Sequence, residues 1–95
     1  MFKISTNDFC NIVYIESYGH YVLIHMQNGS VIKTRSSLKE LASLLPAEKF
    51  ARVHHSFIIN LDFVEKIGHT EILLKATFGT LPVGRAFRKN LIQLK

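Results

Sequence analysis

The segment FARVHHSFIIN, from Phe50 to Asn60, combines apolar and polar residues in an unusual order. Its apolar side chains alternate irregularly with cationic and hydrogen-bonding ones, so neither a helix period nor a strand period fits throughout. We therefore predict a strand that ends, turns and starts a short helix. Such a corner would hold polar side chains on a rigid apolar base, from which they could donate to phosphates and base edges together.

The residues before this segment are typical of β-strands. Asn11 to Ser17 is rich in the β-branched and aromatic residues that strands favour, and Tyr21 to Met26 follows after a turn at Tyr18-Gly19-His20. The pair Asn28-Gly29 then precedes a third run, Val31 to Arg35. An Asn-Gly pair between two such runs is a strong hairpin signal, because both residues tolerate positive φ.

A helix is predicted after this hairpin, because Ser37 and Glu40 have the spacing of a capping box and Pro46 stops the helical pattern. The apolar stripe of this helix is formed by Leu38, Leu41, Ala42 and Leu45. On the preceding strand, Lys33 and Arg35 share one face, which we expect to be solvated.

The last third of the chain is predicted to form short strands and one more helix. The strands are Phe63 to Ile67, Glu71 to Ala76 and Thr80 to Val83, with Pro82 at a sheet edge, and the helix is Arg85 to Leu94. A parallel sheet needs more crossover helices than this order supplies. The predicted fold is therefore mainly β, with antiparallel sheets and short peripheral α-helices.

Composition indicates a single domain over residues 1–95, in the cytoplasm. Hydrophobic residues make up 47% of the 95 residues, and no apolar run approaches the length of a membrane span. The lone Cys10 cannot form an internal disulfide, which fits a reducing compartment. Twelve lysines and arginines against seven acidic residues give a formal charge of +5, which favours a polyanionic partner.

Catalytic and metal sites have little support in the sequence. The glycines are isolated at turns and the acidic residues are scattered, so we expect no enzymatic activity and no cofactor. Adjacent strand residues point to opposite faces, which disfavours Ser56 and His55 as a nucleophile and base. Tandem histidines cannot easily converge on one metal ion, so we predict that His54 is partly buried and hydrogen-bonded and that His55 is exposed.

Nucleic-acid contact is the chemistry that the remaining polar residues favour. Polar tips on apolar bases occur at Gly19 to Tyr21, at Arg52 to Asn60 and at Val83 to Arg85. Cations near phosphates supply affinity for a duplex, and side chains at base edges in the major groove supply specificity. Two alternatives stay open on the residues alone. One is a protein-interaction module that meets an acidic partner, and the other is single-stranded RNA binding, which needs exposed aromatic residues.

Five segments resemble the LytTR family, the mostly β DNA-binding domains of bacterial response regulators. Phe50 to Asn60 is similar to the family's core signature, and SLKEL at Ser37 to Leu41 matches its helix. IVYIES at Ile12 to Ser17, YGHYV at Tyr18 to Val22 and LPVGR at Leu81 to Arg85 resemble further family motifs. The resemblance covers nearly the whole chain and implies an elongated arrangement of antiparallel sheets.

The resemblance also implies how the chain would contact double-stranded DNA. Loops of the family enter successive major grooves on one face of the duplex, usually at direct repeats that two copies occupy side by side. Transferred by position, the base contacts would come from His20 or Tyr21, His55 and Arg85. Phosphate contacts would come from Ser37, Lys39, Arg52 and Ser56, with Arg88 and Lys89 as nonspecific additions. Glu16 and Asn60 would brace the loops.

Two positions depart from the family pattern. His55 stands where a stronger cation or an amide is common, and Gly84 replaces a common serine.

The resemblance further implies transcription regulation downstream of a phosphorelay. The chain would then be the C-terminal fragment of a regulator with a receiver domain that carries the phosphorylated aspartate, or a small stand-alone regulator.

Overall fold

The computed structural model describes residues 6–75 and 78–92, which form two antiparallel sheets with short helices. The larger sheet contains β1 (Ile12–Tyr18), β2 (Tyr21–Met26), β3 (Val31–Arg35), β4 (Phe50–His54) and β5 (Phe57–Asn60), in the order β3-β2-β1-β5-β4. The smaller sheet contains β6 (Val64–Ile67), β7 (Glu71–Leu74) and β8 (Thr80–Pro82) in chain order. All pairings between these strands are antiparallel, which confirms the predicted fold class.

The helices are short and peripheral. They are α1 (Leu38–Leu44) and α2 (Arg88–Ile92), and 3-10 turns cover Thr6–Asn11, Leu61–Phe63 and Arg85–Phe87. Within the described ranges, no helix is long and apolar enough to cross a membrane. Pro82 lies on β8 at the edge of the smaller sheet, as its missing N–H predicts.

The central strands of the larger sheet are buried on both faces, whereas β3 is mostly exposed. One face packs against α1 and uses Ile12, Ile15, Val22, Ile24, Phe50 and Ile58 against Leu38, Leu41 and Leu45. The other face packs against the smaller sheet and uses Val13, Val53 and Ile59 against Ile72, Leu74 and Leu81. Complete burial of one such side chain stabilises the fold by about 1.5–3 kcal/mol. These two layers hold the central strands rigidly and so fix the position of the turns at their ends.

The β2–β3 hairpin has the predicted form. Its turn, Gln27–Ser30, is closed by Asn28, whose Oδ1 accepts from the backbone N–H of Ser30 at 2.9 Å and from its hydroxyl at 2.7 Å. Gly29 has a φ of +93°, a conformation that L side chains avoid. The resulting register pairs Tyr21 with Arg35 and Leu23 with Lys33.

The prediction for Phe50 to Asn60 is wrong in its second half, because the segment is a β-hairpin and not a strand followed by a helix. β4 ends at His54, β5 begins at Phe57, and the 3-10 turn starts only at Leu61. An irregularity in register between Arg52 and His54 disturbs the alternation of β4, which is why no single strand period fits. His55 and Ser56 therefore lie in a turn rather than in a strand.

Three smaller predictions also need correction or lie outside the described residues. Ala42 is exposed and does not belong to the buried stripe of α1, which consists of Leu38, Leu41 and Leu45. The last helix is divided, because a 3-10 turn precedes α2. Ala76 and Leu94 lie outside the described residues.

Candidate nucleic-acid interface

Strand pairing brings half of the predicted contact residues to one end of the larger sheet. Glu16 on β1 pairs with both Leu23 and Phe57, so the β1–β2 turn and the β4–β5 turn lie at the same end. β3 also ends there, because Arg35 pairs with Tyr21. We call this region, comprising Tyr18–Tyr21, Arg35–Ser37 and His54–Phe57, the turn end. Neighbouring strands lie about 4.8 Å apart, so the five strand ends extend over about 19 Å.

The β4–β5 turn is held by side chains on both of its flanks. Arg52 donates from Nε to the carbonyl of His54 at 3.1 Å and from Nη2 to the carbonyl of His55 at 2.7 Å. The N–H of Ser56 donates to Nδ1 of His54 at 3.1 Å, which requires the proton of a neutral His54 to be on Nε2. His54 is half-buried and His55 is exposed, as predicted. The imidazole of His55 is therefore presented to solvent from a fixed backbone.

The segment that carries Arg85 packs directly against this turn. The N–H of Gly84 donates to the carbonyl of Val53 at 2.7 Å, and Nδ2 of Asn90 donates to the carbonyl of Arg52 at 2.9 Å. The ring of Phe87 meets the ring of His55 edge-on, with centroids 5.2 Å apart, and the guanidinium carbon of Arg52 lies 5.4 Å from the Phe87 centroid. Arg85 is exposed next to this cluster, so His55 and Arg85 share one support.

The same packing explains a departure from the family pattern. A Cβ atom at Gly84 would lie 3.1 Å from Cδ2 of Phe87 and 3.5 Å from Cα of His54. A serine would therefore press on the aromatic ring that supports His55. Glycine leaves Phe87 free to approach the β4–β5 turn.

The β1–β2 turn forms the second part of the turn end. Gly19 has a φ of +61°, which allows the tight connection between paired Tyr18 and Tyr21. His20 is exposed and lines an open groove of about 440 Å³ together with Gly19, Arg35, Ser36, Ser37 and Glu40. Arg35, which lines this groove, was predicted only to be solvated and not to contact DNA. Counting the hairpin register back from Asn28-Gly29 would have placed it opposite Tyr21.

The residues predicted to contact phosphates differ in the exposure and hydrogen bonding of their polar groups. The hydroxyl of Ser37 accepts from the N–H of Glu40 at 3.1 Å and donates to the Glu40 carboxylate at 3.2 Å. The helix cap therefore already uses this hydroxyl. Lys39 and Lys89 are exposed, and Ser56 is half-buried. Arg88 is also half-buried, and its Nε is buried without a hydrogen-bond partner among the described residues. Lys39 and Lys89 are thus the least encumbered of these cations.

The two residues expected to brace the loops make internal contacts. Asn60 is fully buried, donates to the carbonyl of Ile12 at 2.8 Å and accepts from the N–H of Asp62 at 2.9 Å. Glu16 contacts Nε2 of His25 at 3.1 Å, and the His25 ring stacks on Tyr14 at 4.1 Å. Burial, and then the charge of Glu16, raise the pKa of Tyr14. In the described part of the chain, no group of three or more metal-ligating side chains is placed to hold an ion.

Comparisons with known proteins identify the family and agree with the fold. The profile of the LytTr DNA-binding domain family matches residues 3–95. A sensory transduction protein LytT from Oceanobacillus iheyensis is 34% identical over 79 residues, which are 77% of this chain and 32% of that protein. A solved LytTr DNA-binding domain from Bacillus cereus superposes with a TM-score of 0.77 at 27% identity, covering 90% of this chain and 82% of the other. The chain thus spans about a third of the length of the curated relative.

Proposed function

We propose, from the premise that this chain belongs to the LytTR family of DNA-binding domains, that it is the sequence-specific output domain of a bacterial response regulator. Binding of DNA in transcription regulation is the function of the family, and the domain is not an enzyme. The parent protein would carry a receiver domain and work in the cytoplasm under a phosphorelay. The 32% of the LytT relative that is covered leaves room for such a domain in that protein.

A single observation carries the assignment of the contact surface. The His20 turn, the His55 turn and the Arg85 segment are held at or beside one end of the same sheet, although they are far apart in sequence. A module that used scattered cations for an acidic protein would not need this convergence. The major groove is about 12 Å wide, so a turn end of about 19 Å can insert a loop and still meet the flanking phosphates.

The proposed roles follow from what each side chain can offer. Arg85 is exposed and suits a bidentate contact to guanine, and the exposed imidazoles of His55 and His20 can each donate to or accept from a base edge. Tyr21 is 36% exposed and is the alternative to His20 at the β1–β2 turn. Lys39 and Lys89 would contact phosphates through exposed side chains. Phosphate contacts would also come from residues whose polar groups are partly hydrogen-bonded or buried, namely Ser37, Arg52, Ser56 and Arg88.

We also propose that two copies bind side by side on direct repeats. The longest dimension of the domain is 35 Å, close to the 34–36 Å or so of one turn of B-form DNA. One copy would therefore cover about one turn on one face of the duplex, and a second copy would occupy the next.

Selection of sites from a pool of randomised duplexes tests this function. We expect the wild-type chain to enrich one motif, and Arg85→Ala to lose about 1–3 kcal/mol on that motif and to relax the preference at one base pair. Lys49→Ala is the matched control, because Lys49 is exposed at the start of β4, at the other end of the sheet. Failure of the wild-type chain to enrich any motif would contradict sequence-specific binding. An unchanged motif with Arg85→Ala would contradict only the role of Arg85.

A further inference from the structure

We propose that Lys33 and Arg35 on β3 form a second phosphate-binding site, which grips the DNA backbone beside the groove entered by the His20 turn. The inference rests on the proposed DNA-binding function and extends it to a strand that carries none of the contact residues named above. Its ligand is the phosphodiester backbone of a duplex, contacted without regard to base sequence.

The ammonium group of Lys33 is directed toward the turn end by two aromatic rings. Lys33 pairs with Leu23, yet its Nζ lies 4.5 Å from the ring centroid of Tyr21 and 5.6 Å from that of Tyr18. Both tyrosines belong to the β1–β2 turn, so the side chain runs along the sheet rather than straight out into solvent. Attraction of the cation to the ring faces holds this direction and leaves the charge exposed.

Arg35 completes the site at the strand end. It is exposed, pairs with Tyr21 and lines the groove that also contains His20. Alternate residues of a strand share one face and lie about 6.6 Å apart along it, so Arg35 and Lys33 project on the same side of β3. A phosphate strand that runs past the His20 turn would therefore meet two cations in succession.

The charges of Lys33 and Arg35 are not neutralised within the described residues. The carboxylate contact found there joins Glu16 to Nε2 of His25, and neither Lys33 nor Arg35 contacts a carboxylate. Glu40 lines the same groove as Arg35, but its carboxylate accepts from the hydroxyl of Ser37 and forms no ion pair with Arg35. Contacts to the DNA backbone require exposed cations without counter-ions, close to a loop that enters the major groove. Lys33 and Arg35 meet both requirements.

The dependence of duplex affinity on salt tests this site directly. The full chain would be titrated against a labelled mixed-sequence duplex, a duplex carrying the selected motif, and polyglutamate. The same titrations would be made with Lys33→Gln, Arg35→Gln, the double variant of these two, and Lys49→Gln. Each phosphate contact contributes roughly one unit to the slope of log affinity against log salt. We expect each β3 variant to lose about one unit of slope on both duplexes, and the double variant about two. Lys49→Gln removes the same charge at the opposite end of the sheet and should leave the slope unchanged.

Three results would overturn the inference. If the β3 variants match Lys49→Gln while the wild-type chain still enriches a motif, the site is absent and the proposed function stands. If the β3 variants change the preferred motif, these residues contact bases and not phosphates. If Arg35→Gln abolishes binding of polyglutamate but leaves both duplex slopes unchanged, the cations serve an acidic protein. Failure of the wild-type chain to bind a motif would instead count against the proposed function.

Discussion

Two of the three hairpin turns of the larger sheet, the β2–β3 turn and the β4–β5 turn, lie at opposite ends and are held in different ways. The β2–β3 turn, Gln27–Ser30, is closed by its own residues, through the side chain of Asn28 and the positive φ of Gly29. The β4–β5 turn, at His55 and Ser56, is held by Arg52 and His54 on its flank and by Phe87 from the last part of the chain. The first turn is thus shaped mainly by its own residues, although the N–H of Gln27 donates to the carbonyl of Asn11 at 2.7 Å. The second turn combines local hydrogen bonds with a tertiary contact to Phe87.

This difference separates stability from function. A turn that is closed by its own residues keeps its shape when neighbouring residues are substituted. It stabilises the sheet at whichever end it lies. A turn that is held by distant groups positions its exposed side chain relative to those groups. His55 and Arg85 are held in a fixed relation because Phe87, Gly84 and Asn90 connect the two segments.

The largest expected effect comes from removing the brace of the tertiary turn. Arg52→Ala should cost about 2–3 kcal/mol of stability, because two charge-assisted hydrogen bonds and the contact with Phe87 are lost. It should also weaken binding to every duplex and reduce selectivity between duplexes, because the turn no longer holds His55. Urea unfolding and duplex titration measure the two losses on the same sample.

Arg52→Lys sharpens this test, because it retains the charge but not the planar fork of donors. If Arg52 positions the turn, the lysine variant should lose nearly as much selectivity between duplexes as the alanine variant. Wild-type stability and selectivity in Arg52→Lys would show that the charge alone matters, and that Arg52 acts as a simple phosphate contact.

A smaller effect is expected at the locally closed turn. Gly29→Ala should cost about 1–2 kcal/mol of stability, because the φ of +93° is strained for any L side chain while space for a Cβ is open. Duplex affinity and the salt slope should equal those of the wild-type chain, since this turn lies away from the turn end. A clear loss of duplex affinity at temperatures where Gly29→Ala is folded would mean that the two ends of the sheet are coupled.

The smallest effect concerns Tyr14, which lies on β1 between the two turns. Burial and the charge of Glu16 raise its pKa above 10.0, so the unfolded chain releases the phenolic proton at a lower pH than the folded one. The contribution of Tyr14 to stability is therefore complete below pH 10.0 and is lost as the pH rises through the raised pKa.

Urea unfolding between about pH 8 and about pH 11 measures this loss, and Tyr14→Phe should flatten the curve there. Both turns should lose hydrogen-exchange protection together, because β1 belongs to the centre of the sheet. An equal alkaline loss in Tyr14→Phe would assign the effect to other groups.

The accuracy of the predictions follows the same division between local and tertiary structure. The β2–β3 hairpin and the capped start of α1 were predicted correctly, because Asn28-Gly29 and Ser37 with Glu40 act within a few residues. The helix predicted after His54 does not exist, because β5 pairs with β1, more than thirty residues earlier in the chain, and this pairing takes up its backbone polar groups. Ala42 followed the helical period but lies on the exposed side of α1.

The amino-acid sequence by itself determined the class of the fold, the basic charge and the residue types available for contact with DNA. Periodicity, turn residues and family motifs are local in the chain, so they can be recognised without coordinates. Only the tertiary structure decided which of those residues meet. Antiparallel pairing between β1, β2 and β5 sets His20 and His55 at one end, and packing of Phe87 on Arg52 and His55 brings Arg85 beside them. These placements depend on contacts between distant segments, and such contacts leave no periodic signal in the sequence.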